Sequence, residues 1–453
     1  MSPITKTLLL LLPFLPQVTT AQTLPRPTPR QLAWQQMETT AFLHFTVNTY
    51  TDKEWGDGTE SPQIFNPVKF DARQWIRSLK EAGFKLAIIT AKHHDGFCLW
   101  PTQTTEHSVK NSPWKGGKGD VVREVADACR QYGLKFGVYL SPWDRHEPSY
   151  GTAAYNDFYK KQLRELLTNY GPIAEVWFDG AKGENAKNMT YDFAGYWAMV
   201  RQLQPQAVMF SDAGPDVRWV GNESGNAAET CWSTIDNSKH APGVADSKYL
   251  NTGDPNGKDF IPAETDVSIR PGWFYHPKED SKVRSGKNLV NLYYQSVGRN
   301  SLLLLNIPPN RDGLLSDADV ASIKEFRSIL NETFKTNLAK GAAKSGLTDG
   351  FMNTMAITPV NKPLEVTFRN PITFDRMLLQ ENISSGQRVM EGQVEYWDGT
   401  DWKPIQTFTT VGYKRLLRFQ PVTTDKVRVT FTAAKGDVVE LAEMGIFKAS
   451  SRE

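Results

Sequence analysis

The segment Ile173-Ala174-Glu175-Val176-Trp177-Phe178-Asp179-Gly180 most narrows what this chain can fold into. A mostly apolar, β-favouring run that stops on a carboxylate and a glycine suits a strand buried on both faces, as in a parallel α/β sheet. In a closed α/β barrel the chemistry sits where such strands end, and Asp179 occupies that place. Asp-Gly is equally ordinary turn and helix-capping chemistry, so the segment means catalysis only in company.

The rest of the chain supplies the company. After a Pro-rich lead (Pro25, Pro27, Pro29), strand-like runs recur at 41–45, 86–90, 135–140, 174–178, 207–210, 230–232, 264–269 and 302–307. Amphipathic stretches with helical spacing separate most of them, at 71–82, 120–132, 156–170, 191–203 and 288–297. The first opens on a capping Asp71 and sets Trp75, Ile76 and Leu79 on one face. This alternation predicts an α/β fold, a (β/α)8 TIM-like barrel over residues 35–335. Beyond a helix at 316–330 the pattern becomes short alternating segments at 364–368, 376–379, 393–397 and 427–431, with turns such as Asp398-Gly399-Thr400. That predicts a C-terminal antiparallel β-sandwich over 339–450. A chain of 453 residues has room for both parts.

Charge and composition bound the ligand. With 52 basic against 50 acidic residues, nothing draws the chain to nucleic acid or to an anionic membrane. Thirteen Trp and fifteen Tyr suit a ligand with apolar C–H faces, such as a sugar ring. At the start, Lys6, the apolar run Leu8 to Leu12 and Thr19-Thr20-Ala21 read as a signal peptide over 1–21, cut after Ala21. Export to a periplasm or to the outside is therefore expected; the apolar run is too short to span a bilayer, and no Cys follows it for lipid anchoring. Cys98, Cys129 and Cys231 are too far apart in sequence for a disulfide scaffold or a zinc pattern, and are expected as buried thiols.

In a barrel the strand ends meet at one mouth. His44 ends the first strand, Lys92-His93-His94-Asp95-Gly96-Phe97 the second, Tyr139 and Trp143-Asp144 the third, and Asp179 the fourth, while a loop brings Glu54-Trp55-Gly56-Asp57. His93 and His94 could share one ion only if the strand has already ended, and no HxH or HExxH cluster accompanies them. No metal and no cofactor are expected; the pair is read as hydrogen-bonding groups for a polyhydroxylated ligand, against a core-satisfied pair. A second carboxylate could be Glu223, Glu229 or Glu264. Glu223 ends the Gly-bracketed loop 214–223 after the fifth strand, which could cross the mouth. Asn222-Glu223-Ser224 also matches a glycosylation sequon, and a glycan there would block that mouth.

Five pieces in this order are similar to the α-L-fucosidases of glycoside hydrolase family 29. They are the His44 strand, Lys92-His93-His94-Asp95-Gly96-Phe97, Trp177-Phe178-Asp179-Gly180, Val217-Arg218-Trp219-Val220-Gly221-Asn222-Glu223, and Gly298-Arg299-Asn300-Ser301-Leu302-Leu303-Leu304-Leu305-Asn306-Ile307-Pro308-Pro309. The resemblance implies Asp179 as nucleophile and a C-terminal sheet like the discoidin-like modules often attached to glycosidases. The segment ending in Glu223 resembles the branch that cleaves α-1,3- and α-1,4-linked fucose from Lewis-type glycans, which implies Glu223 as acid/base. His44, His93, His94 and Tyr139 would then line the fucose pocket, with Glu54, Trp55 and Trp143 nearby. The family's first motif usually carries Trp-Gly soon after its His, whereas Thr46-Val47-Asn48 follows here. The implied partner is a fucosylated oligosaccharide or glycoprotein glycan. Competing readings are a barrel glycosidase for another sugar and an inactive carbohydrate-binding homologue; the presence of both Asp179 and Glu223 speaks against the second.

Overall fold

The computed structural model describes residues 24–244 and 246–453; the expected signal peptide lies outside them. Eight parallel strands close into a barrel: β1 Thr39–Leu43, β2 Leu86–Lys92, β3 Lys135–Leu140, β4 Glu175–Trp177, β5 Val208–Ser211, β6 Val217–Trp219, β7 Ala263–Ser268 and β8 Leu302–Asn306. β8 pairs in parallel with β1, with Thr39 opposite Leu303, and closes the ring.

Period two explains why most of these runs are apolar on both faces. Alternate residues point into the barrel, where Phe42, Tyr139, Trp177, Phe210 and Leu304 form an inner core. The residues between them, such as Leu43, Ile89, Val138, Val176 and Leu305, face outward beneath the helices. The helices follow the expected amphipathic stretches. Ala72–Glu81 is capped by Asp71, whose side chain accepts from the N–H groups of Arg73 and Gln74, and it buries Trp75, Ile76 and Leu79. Val121–Tyr132 ends on Gly133 at φ 68°, a left-handed position that costs glycine nothing.

The sixth strand is a correction. It is Val217–Trp219, inside the segment expected as a loop, and not 230–232. β5 reaches β6 through residues 212–216 alone, with no helix between. Arg218 interrupts the apolar pattern, which hid the strand. Its guanidinium is fully buried and donates to the carbonyls of Leu250, Ile261 and Trp232. Glu223 consequently follows the end of a barrel strand instead of closing a long excursion. The segment around Cys231 instead meets the C-terminal sheet, where its N–H bonds the Thr410 hydroxyl at 2.9 Å.

The C-terminal part is a six-stranded antiparallel sheet: β9 Ala356–Pro359, β10 Leu364–Glu381, β11 Val389–Trp397, β12 Trp402–Phe408, β13 Arg415–Ala434 and β14 Val438–Phe447, in the order β9-β14-β10-β13-β11-β12. The long β10 and β13 lose register between Thr367 and Ile372 and again between Phe374 and Arg376. On one side of those breaks β13 pairs with β11, and on the other β10 pairs with β14. The sheet thus folds across its two long strands, and Val366, Val394 and Val429 from one half share a core with Leu379, Leu441 and Ile446 from the other. It joins the barrel beside the strand N-termini, through Tyr413 N–H to Asn300 Oδ1 at 2.7 Å and an ion pair of Lys414 with Glu38. The strand C-termini are left open. Cys98, Cys129 and Cys231 are buried free thiols.

Candidate active site

At the C-terminal mouth of the barrel lies a cavity of about 380 Å³. Asp179 stands in it two residues beyond β4. Its Oδ1 accepts the N–H of Ala181 at 2.7 Å, and its Oδ2 accepts the Tyr139 hydroxyl at 2.8 Å, with His94 Nε2 at 3.7 Å. Two donors fix the carboxylate's direction, while Gly180 permits the close approach of Asp212, whose Oδ2 would lie 2.2 Å from a Cβ there. Burial, and then Asp179 itself, push the Tyr139 hydroxyl well above its ordinary pKa, so it stays a donor.

The three histidines are neutral. Burial lowers His94 to about 4 and His44 to about 3, and holds His93 well below its ordinary value. Asn306 decides the His44 tautomer: its amide N–H groups go to Ser268 Oγ and the Trp273 carbonyl, so its Oδ1 accepts from His44 Nδ1 at 2.9 Å. Nε2 of His44 is left as an acceptor. His93 and His94 both reach the cavity because β2 ends at Lys92 and a turn closed by Gly96 N–H on the His93 carbonyl brings their rings within 4.1 Å. The buried His93 Nδ1 has no partner among the described residues. No group of three or more His, Cys, Asp or Glu among the described residues is arranged to hold a metal ion.

Glu223 faces the same cavity, exposed at its rim, and accepts the Trp273 indole N–H at 3.2 Å. Partial desolvation raises its pKa, as do the charges of Asp179 and Glu54, against the lowering effect of the Trp273 bond. The other two candidate carboxylates lie elsewhere. Glu229 pairs with Arg299 and Arg415 at the junction with the sheet. Glu264 is inside the barrel, accepting the Trp177 indole N–H at 2.8 Å.

Of the remaining expected residues, Trp55 lines the cavity with its ring perpendicular to that of His94. Trp143 stands behind it, tilted against His94 at 4.7 Å and edge-on to Trp55, and lines a neighbouring cleft. Glu54 does not line the cavity; it accepts the N–H groups of Trp273 and Phe274 and bonds His276 Nε2, so it holds the loop that carries Trp273. Trp273 lies 5.2 Å from the His44 ring and supplies the wall beside it. Phe42, Phe210, Asp212, Asp266 and Trp273 also line the cavity. Strand parity could have found Phe42 and Asp266, which lie two residues from His44 and Glu264; Trp273, on a loop, had no such signal. A carboxylate pair, neutral hydrogen-bonding rings and indole faces around one small cavity suit cleavage of a glycosidic bond.

Comparison with known proteins agrees. The α-L-fucosidase family model matches residues 26–333. The chain is 46% identical to Alpha-L-fucosidase 1 of Arabidopsis thaliana over 417 residues, covering 87% of this chain and 82% of the relative. A Ruminococcus gnavus glycoside hydrolase family 29 fucosidase, solved in complex with fucose, superposes with a TM-score of 0.86 at 34% identity over 94% of this chain and 95% of its own. A family 29 member from an unknown rumen bacterium superposes at 0.87 with 43% identity, covering 95% of this chain and 78% of that one.

Proposed function

Because this chain belongs to the α-L-fucosidases of glycoside hydrolase family 29, which are retaining hydrolases, we propose that it frees terminal α-1,3- and α-1,4-linked fucose from Lewis-type glycans, with Asp179 as nucleophile and Glu223 as acid/base. One observation carries the assignment of roles: Asp179 and Glu223 are carboxylates beyond the C-terminal ends of two strands, β4 and β6, with only β5 between them, and both face one cavity. Asp179 is aimed by Tyr139 and Ala181 and attacks the anomeric carbon, giving a β-linked fucosyl-enzyme. Glu223, whose raised pKa favours a proton at the start of the cycle, delivers it to the departing oxygen and then takes one from water. Departure and attack occur on opposite faces, so the two inversions restore the α configuration.

His44, His93 and His94 offer neutral ring nitrogens to the sugar hydroxyls, and Trp55 and Trp273 offer indole faces to its methyl edge and C–H bonds. Glu54 and Trp143 act through others, the first by holding Trp273 and the second by backing Trp55 and His94. The branch preference is supported by the Val217–Glu223 segment, and export to a periplasm or the exterior by the leader pattern over 1–21. Incubation with Lewis a and Lewis x trisaccharides, followed by mass analysis, should show free fucose and the remaining disaccharide. Release from α-1,2- or α-1,6-linked fucosides with none from either trisaccharide would refute the linkage assignment.

A further inference from the structure

The interior of the barrel carries three carboxyl groups that the reaction above does not use. Glu175, Glu264 and Asp266 are at most 2% exposed. Among the described residues none of the three has a cation beside it. Each accepts one indole N–H instead: Trp34 to Glu175 at 2.9 Å, Trp177 to Glu264 at 2.8 Å and Trp219 to Asp266 at 2.9 Å. Glu264 and Asp266 lie two apart on β7 and therefore point the same way, into the barrel. Glu264 is closed off behind Trp177, whereas Asp266, one step nearer the mouth, lines the catalytic cavity.

Asp266 has one oxygen to spare. Trp219 occupies Oδ1, and no other described side chain donates to the carboxyl, which otherwise meets only its own backbone N–H. A carboxyl buried this deeply, facing a cavity with an unused oxygen, is expensive to keep unless whatever enters the cavity uses that oxygen.

We propose that Asp266 is a specificity-determining residue of this pocket, donating a hydrogen bond from Oδ2 to a hydroxyl of the bound sugar while Oδ1 holds the Trp219 ring. The proton is there to donate. Burial first, and then the charges of Glu223 and Glu264, hold the Asp266 carboxyl well above the usual carboxylate range. A sugar hydroxyl accepts such a bond without carrying charge into the site. A sugar lacking that hydroxyl would leave a buried donor unpaired, which is how a small pocket rejects close analogues. Trp219 also lines the cavity, so the two oxygens of Asp266 serve one surface.

This inference rests on fucose occupying the cavity, and its test separates the two ideas. The measurement is kcat/KM for wild type, Asp266→Ala and Asp266→Asn on an activated aryl α-L-fucoside and its 2-, 3- and 4-deoxy analogues. On the parent fucoside Asp266→Ala should lose about 30-fold, in the range expected when a polar group for a substrate hydroxyl is removed. Asp266→Asn, which still offers an N–H to the sugar and an oxygen to Trp219, should recover most of that loss. For one deoxy analogue Asp266→Ala should cost almost nothing further, because the missing hydroxyl is the one it bonds. Equal losses from Asp266→Ala on the parent and on all three deoxy analogues would mean that the residue only orients Trp219, and would overturn the inference while leaving the pocket's assignment intact. No turnover by wild type of either the parent fucoside or a Lewis-type trisaccharide would overturn both. If Asp266→Ala does not fold, judged by its thermal melt, Asp266→Ser enters the same cycle with the same two readings.

Discussion

Replacing Glu223 by alanine should separate acid catalysis from everything else the pocket does. The side chain is exposed at the rim, and its one hydrogen bond is the 3.2 Å contact from Trp273 Nε1. Trp273 is held independently, by its backbone N–H on Glu54 at 2.8 Å and by its carbonyl on Asn306 at 2.7 Å. Glu223→Ala therefore leaves no deeply buried group unpaired and should change stability by less than about 0.5 kcal/mol. The loss should be one of rate. Protonation by a positioned acid is worth about 10²–10⁴-fold, or about 2.7–5.4 kcal/mol of barrier, when the leaving group is a poor one such as a sugar hydroxyl. For an aryl fucoside whose leaving group needs no proton, fucosylation should be nearly unaffected. Hydrolysis of the fucosyl-enzyme, which needs base-assisted water, should then limit turnover, and azide should relieve that limit. The expected product is α-fucosyl azide, since azide inverts a β-linked intermediate. The assay compares kcat/KM on a Lewis-type trisaccharide and on an activated aryl fucoside, with and without azide. Equal losses on both substrates, or β-fucosyl azide as product, would refute the role of Glu223 as acid/base.

Asp179→Ala should abolish nearly all turnover, and azide should give β-fucosyl azide by a single displacement; a kcat above about a tenth of wild type would remove Asp179 from the nucleophile's role. Trp273→Phe deletes the N–H that favours the ionised form of Glu223, so the alkaline limb of the kcat/KM profile, where the acid loses its proton, should move to higher pH. A limb that stays in place or moves down would show that this bond does not tune the acid. Burial raises the Asp95 carboxyl from 3.8 to about 7. A group with a raised folded-state pKa contributes stability in full below its unfolded value and loses it as pH rises through the folded one. Asp95→Asn should thus flatten part of the fall in Tm between about pH 4 and pH 7; identical Tm–pH slopes for variant and wild type would contradict this.

Where physics acts locally, the sequence alone was decisive. Strands buried on both faces tend to be near-continuously apolar, so β1, β2, β3, β4, β5 and β8 stood out as largely apolar runs. The Asp71 cap and the Trp75, Ile76 and Leu79 stripe fix a helix within ten residues of chain. Asp179 was visible because a carboxylate at a strand end breaks such a run abruptly. Other features depend on partners far along the chain. β6 was hidden by Arg218, whose burial is tolerable only because the carbonyls of Trp232, Leu250 and Ile261, 14 to 43 residues away, receive its guanidinium. No local pattern can announce a strand whose central charge is solvated by carbonyls at that distance. For the same reason Trp273 entered the site only with the folded structure, carried by a loop that Glu54 pins from 219 residues away, whereas Asp266 follows from strand parity once its strand is placed. The strands and the place of Asp179 follow from period and burial along the chain. The pocket's walls, and the proton each carboxyl holds, follow from desolvation and from neighbours that only closure of the barrel brings together.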